Sequence, residues 1–187
     1  MASFLLPAGE AEDHRVMGRQ ERSRAAPPWA GDLLLHAAAV VAPAGALLLL
    51  GHSGAGKSTV CRLVADRLPV LADDVVRLAR NGEMGATWHV SDAQQDPAAP
   101  VRAVPLVAVL RLFQAEATEL VRATPLQMCG YLADAVFEVE LQRQVSNWPR
   151  RAWFACVADV ARAHVGWQLR FILGPETASL LCEQPWA

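Results

Sequence analysis

"LLLLGHSGAGKSTVCRL", residues 47–63, decides how the rest of the chain is read. Four leucines lead into a glycine-rich loop, and the loop runs into Lys57-Ser58-Thr59. The apolar run is too short for a helix and reads as a buried strand. Past the loop, Val60, Leu63 and Val64 recur at helical spacing, with Arg62, Asp66 and Arg67 elsewhere on the turn. A strand before and a helix after is the context in which G-x-x-x-x-G-K-[ST] binds phosphate, and Gly51, Gly56, Lys57 and Ser58 match that pattern. Glycines at 51, 54 and 56 let backbone N–H groups turn inward on an anion, and the helix aims its positive end at the same place. Lys57 is the single lysine of a chain that carries sixteen arginines. A compact ammonium on a thin stem reaches phosphate oxygens inside such a loop, where a planar guanidinium is too wide. Ser58 would turn its hydroxyl to a magnesium ion. The candidate nucleotide cradle is therefore Gly51, His52, Ser53, Gly54, Ala55, Gly56, Lys57, Ser58 and Thr59.

Working outward, residues 33–41 are apolar around His36 and predict a strand. Pro43-Ala44-Gly45 is a turn, and 46–50 is the strand that enters the loop. The spacing predicts a helix over 57–67, ended by Pro69. Residues 70–78 read as a third strand interrupted by Asp73-Asp74, with a turn at Asn81-Gly82. Residues 91–103 read as a loop and 105–113 as a strand. Thr124-Pro125 supplies a cap and a first-turn proline for a helix through about residue 137. A helix over 151–164, a strand over 166–173 and a helix over 175–182 complete the pattern. Strands and helices alternate, but the two early strands have no helix between them. The predicted fold is α/β, with a mixed β-sheet flanked by helices.

Bulk properties set the frame. A chain of 187 residues, 53% hydrophobic, fits one domain with a real core. Residues 1–32, charged and then proline-rich, predict a poorly ordered arm, which leaves the domain over 33–187. A formal charge of −2 argues against a nucleic-acid partner. Cys61, Cys129, Cys156 and Cys182 lie far apart, as reduced core residues do rather than a zinc or disulfide frame. The N-terminus meets acidic residues before any long apolar run, so no signal peptide is read there. No run approaches the roughly 18 apolar residues of a membrane helix, and the expectation is a cytoplasmic protein without a membrane partner.

Three stretches in order, "LLHAAAVV", "GHSGAGKST" and "VLADDVVRL", carry a further signal. His36 stands fifteen residues before Gly51, and Asp73 stands sixteen after Lys57. This triplet resembles the catalytic domain of HPr kinase/phosphorylase, the bacterial family that phosphorylates a serine of a small carrier protein. "PLVAVLRLF" and "WQLRFILGPETASLL" resemble the later strand and last helix of its small stand-alone relatives. The resemblance covers roughly residues 33–182. It implies a phosphate-binding-loop fold similar to that of phosphoenolpyruvate carboxykinases, with ATP and Mg2+ as cofactors and a peptide or small protein as phosphoacceptor. It implies Asp74 as general base, with Asp73 facing the metal or His36. His36 would hydrogen-bond an aspartate or the transferring phosphate, and Lys57 would neutralise the phosphates. Arg102 is a candidate phosphate contact near the predicted strand at 105. Two features of the family are missing: an N-terminal domain ahead of Leu33, and a glycine-rich segment with a metal-binding glutamate after Asp74. The expectation is a kinase without the reverse, phosphorylase, activity.

Neighbouring residues of a strand face opposite sides, so Asp73 and Asp74 should do different jobs. The competing reading is a nucleotide-binding accessory or sensor module without catalysis. The acidic pair weighs against it, because a mere binder needs no base. A third reading, a transport-type ATPase domain, would need an LSGGQ-like signature and a long apolar strand ending in Asp-Glu, and no LSGGQ-like run is present, which argues against it. His89, beside Trp88, is a weak candidate for stacking on a nucleotide. Trp148, Trp153 and Trp167 read as core or rim, and Arg150-Arg151 as a solvated helix start. The oligomeric state stays open.

Overall fold

In the computed structural model, residues 32–81, 87–96, 98–143 and 150–186 are described. The leucine run forms strand β2 (Gly45–Leu50), buried along its whole length. Leu47 and Leu49 enter one core cluster, and Leu48 and Leu50 enter another on the opposite face. A strand covered on both faces has no solvent side, which is why its sequence does not alternate.

Strand β1 (Leu33–Ala42) pairs antiparallel with β2, from Ala37 opposite Leu50 to Ala42 opposite Gly45. The expected third strand is two strands, β3 (Val70–Ala72) and β4 (Val75–Asn81). The break between them is Asp73-Asp74. Strand β3 pairs with β1 at Ala39 and Val40, while β4 pairs with Leu33 to His36. At the break the Ala37 N–H donates to the Asp74 carbonyl at 3.1 Å. The two carboxylates therefore stand where β1 passes from one partner strand to the next, beside His36.

Strand β5 (Thr87–Asp92) pairs antiparallel with β4. Strand β6 (Val104–Gln114) pairs antiparallel, at its start, with His89 and Val90 of β5 and runs parallel to β2. Strand β7 (Glu119–Arg122) pairs antiparallel with β8 (Val165–Phe171), and β8 runs parallel to β6. The result is one mixed eight-stranded sheet in the order β2-β1-β4-β5-β6-β8-β7, with β3 beside β1. Because β2 also pairs with β6, the pairings β1-β2-β6-β5-β4 close on themselves. Two strands differ from the sequence reading: β5 and β7 lie in stretches that the sequence pattern does not mark as strands. In β5 only Trp88 and Val90 supply buried apolar anchors at alternate positions, too short a signal to stand out.

Helices cover both faces. Helix α1 (Lys57–Val64) and α4 (Pro175–Glu183) pack on the side of Leu47 and Leu49. Helices α2 (Pro125–Arg143) and α3 (Arg150–Ala163) cover the side of Leu48 and Leu50. Helix α2 starts with a reciprocal cap: the Gln127 N–H donates to Thr124 Oγ1, and the Thr124 N–H donates to Gln127 Oε1. It continues past residue 137 because Val139 extends the buried stripe of Met128, Leu132, Ala135 and Val136. Helix α1 stops at Val64, short of 67; beyond it the Arg67 N–H turns back to the Val64 carbonyl in a tighter, i→i−3 turn. Cys61 is buried in the α1 core, and burial pushes its thiol up to about 12. The four cysteines are free, as read from their spacing.

The arm over 1–31, the Gly82 side of the expected turn, and Trp148 lie outside the described residues. Among the described residues, no helix is long and apolar enough to cross a membrane.

Candidate functional site

The glycine-rich loop leaves β2 at the end of the sheet and turns into α1. Gly54 and Gly56 hold φ of 81° and 101°, the left-handed region in which a side chain is strained. That conformation lets the loop coil: the Ala55 N–H donates to the His52 carbonyl at 3.0 Å. The first helical bond runs from the Val60 N–H to the Gly56 carbonyl at 2.8 Å. The earlier N–H groups of α1 are thereby left for another acceptor.

Lys57 is 6% exposed, and its Nζ donates to the Gly51 carbonyl at 2.6 Å and the His52 carbonyl at 3.4 Å. Burial lowers its pKa from the usual 10.5. The carboxylates of Glu138, Asp74 and Asp73 pull the other way, and the Arg111 guanidinium adds to the lowering. A desolvated ammonium held on carbonyl oxygens is poised to exchange them for better acceptors.

A cleft of about 420 Å³ opens over this loop. His36, Ser53, Gly54, Gly56, Lys57, Ser58, Thr59, Arg62, Asp73 and Asp74 line it. All four residues expected to carry chemistry, His36, Lys57, Asp73 and Asp74, are thus in one place. Of the expected cradle, Gly51 and Ala55 are buried and His52 is exposed, and none of the three lines the cleft. Arg62, one turn into α1, joins the lining without having been expected there.

His36 is 8% exposed and sits between two carboxylates. Its Nδ1 makes a close contact with Glu138 Oε2, from α2. Its Nε2 lies 3.6 Å from Asp74 Oδ1. Asp74 Oδ2 in turn accepts from Gln94 Nε2 at 2.8 Å. One oxygen of Asp74 is held by an amide, and the other faces the histidine. The chain Glu138, His36, Asp74 can orient a carboxylate and accept or pass on a proton. Glu138 and Gln94 are two residues that the sequence reading missed. Glu138 falls just past the expected helix end at 137, and Gln94 lies in what read as a featureless loop.

A second missed cation is Arg111, on β6 directly opposite Leu50. It lies near the rings of Tyr131 and Phe113 and 4.0 Å from Asp134, and its buried Nε has no partner among the described residues. Its unbroken apolar surroundings, "VAVLRLF", hid it. Other candidates are elsewhere. Arg102 is exposed and His89 bonds the Thr87 carbonyl on β5; neither lines the cleft. Trp153 is fully buried and Trp167 half-buried, the core and rim places expected of them. Arg150 begins α3.

Magnesium fits the donor set in a limited way. Ser58 and Asp73 place a hydroxyl and a carboxylate on the same cleft, both hard oxygen donors. Among the described residues, no three His, Cys, Asp or Glu side chains gather as a complete metal cage. Such a pair would hold magnesium with few protein ligands and leave the rest to water and phosphate. No protein-family model and no curated protein matches the chain.

Proposed function

We propose that the chain is an ATP-dependent kinase of the HPr serine kinase-like class, built on the phosphate-binding-loop fold of phosphoenolpyruvate carboxykinase-like proteins. It transfers the γ-phosphate to a hydroxyl, a serine of a peptide or small protein. The observation that carries this reading is that one cleft over the loop gathers Lys57 and Ser58 with Asp74 and His36.

The residues divide the work of phosphoryl transfer, which is mainly positioning and charge neutralisation. The loop N–H groups and Lys57 hold the phosphates. Ser58 and Asp73 would hold magnesium, which would supply positive charge to the phosphate oxygens. Asp74 accepts the proton of the attacking hydroxyl while the new O–P bond forms. The bond from the γ-phosphorus to its bridging oxygen breaks, and ADP leaves. Glu138 and Gln94 keep His36 and Asp74 in register for that step. The sequence carries no recognisable counterpart of the family's glycine-rich segment with a metal-binding glutamate, so the reaction runs forward as a kinase, with negligible phosphorylase activity.

The test is Asp74→Asn, which keeps the shape of the side chain and removes its basicity. ATP affinity should hold, while phosphoryl transfer or slow ATP hydrolysis falls at least about a hundredfold, the scale of a positioned base. Wild-type turnover in the variant would sink the assignment. ATP binding with no turnover by either protein, whatever serine peptide is supplied, would favour the accessory nucleotide-binding module.

A further inference from the structure

A second cleft, of about 290 Å³, lies at the carboxyl ends of β6 and β8. Phe113, Gln114, Ala115, Gln168 and Arg170 line it. Its wall is continuous with the glycine-rich loop, because Gln114 Nε2 donates to the Gly54 carbonyl at 3.3 Å. Gly54 lines the first cleft and Gln114 lines the second. We propose that this second cleft holds the nucleoside end of the nucleotide, with the base against Phe113.

The topology sets the direction. Strand β2 has β1 on one side and β6 on the other. Asp74 and His36 stand on the β1 side, so a nucleotide whose phosphates lie in the loop has its reacting end there. The rest of the molecule must leave the loop on the β6 side. Strands β2, β6 and β8 run parallel, and ligands of such sheets lie outside the carboxyl ends of the strands. The second cleft is at that place and on that side.

Its chemistry suits a flat base with N–H groups on its edge. Phe113 is 37% exposed, and its ring is braced edge-on by Tyr131 at 6.1 Å, so a stacking face is fixed. Gln114 uses its amide N–H on Gly54, and Gln168 donates to the Tyr131 hydroxyl at 3.0 Å. Each then has its carbonyl oxygen to accept from an exocyclic amino group. Arg170, opposite Phe113 across the strand pair, is held by Glu119 at 3.2 Å and supplies donors. Aromatic face, acceptors and donors together describe a purine carrying an amino group.

This inference rests on the nucleotide reading above, and the test separates the two. Phe113→Ala removes the stacking face. Ala115→Phe fills the cleft from an exposed loop position and keeps the bond from the residue 115 N–H to the Phe171 carbonyl. Both variants and wild type are titrated calorimetrically with magnesium–ATP and with magnesium–tripolyphosphate, which has the phosphates and no nucleoside. Each variant should lose about tenfold or more in ATP affinity, the scale of one lost base stack, and keep its tripolyphosphate affinity. Unchanged ATP affinity in both variants, or equal losses for the two ligands, would overturn the nucleoside site while leaving the phosphate site standing. A wild-type chain that binds neither ligand would overturn the kinase reading and this inference together.

Discussion

Lys57 gives up hydration to sit against the Gly51 carbonyl, and its lowered pKa records that cost. Phosphate oxygens would supply the charge that carbonyls lack. Lys57→Ala should weaken magnesium–ATP binding by about an order of magnitude or more. Lys57→Arg should fail as well, because the wider guanidinium does not fit between the loop and the cleft floor. Calorimetry on the three proteins decides it, and equal affinities would mean that the loop binds no phosphate. Glu138 calls for a different signature. Its carboxylate holds His36 by Nδ1, so Nε2 is the ring nitrogen turned to Asp74. Glu138→Gln keeps the shape and loses the charge. Turnover should drop at least about tenfold. ATP affinity should not fall, since the lost charge is negative and near the phosphates. Glu138→Asp should recover part of the turnover. A drop in ATP affinity that tracks the drop in turnover would assign Glu138 a merely structural role.

Helix α2 is the element that brings Glu138 to the sheet. Its buried residues Met128, Leu132, Ala135 and Val136 pack in the same cluster as Leu35 and Ala37, the neighbours of His36. The Thr124 cap fixes where the helix begins and so its phase along that stripe. Thr124→Ala should cost about 1 kcal/mol, the usual worth of a cap, read as a lower urea midpoint with an unchanged slope. No change in midpoint would mean that the Gln127 half of the cap suffices. The break between β3 and β4 is the other decisive element. Two carboxylates side by side do not belong inside a sheet. Placing them where β1 changes partner leaves the Asp74 backbone bonded to Ala37 and turns both side chains to the cleft.

One half-buried histidine makes the stability of the whole molecule depend on pH. On the α3 side, His164 has a buried Nε2 without a partner among the described residues, and burial lowers its pKa from the usual 6.5. Asp159 offsets this in part. The sign follows directly. Below 6.5 the unfolded chain takes up a proton before the folded one does, so stability falls as pH drops through that region. Above it the histidine is neutral in both states and costs nothing. His164→Gln should flatten the slope of unfolding free energy just below pH 6.5. Urea titrations of both proteins across that window check it, and parallel slopes would exclude His164 as the source.

Sequence alone established the loop, its strand and its helix, because each is local. An unbroken leucine run, glycines at fixed offsets and a helical stripe are all read within residues 47–64. It also carried the mixed α/β class, since two strands joined by a three-residue turn cannot be parallel. Asp73, Asp74 and His36 were legible as candidates through the family resemblance that their spacing carries. Only the tertiary structure decided what surrounds them. Glu138 reaches His36 across 102 residues of chain, Gln94 reaches Asp74 across 20, and Arg111 stands opposite Leu50 through a strand pairing. No local pattern encodes such contacts. They arise because apolar stripes bury together, and the polar side chains carried on those stripes meet at the ends of the sheet.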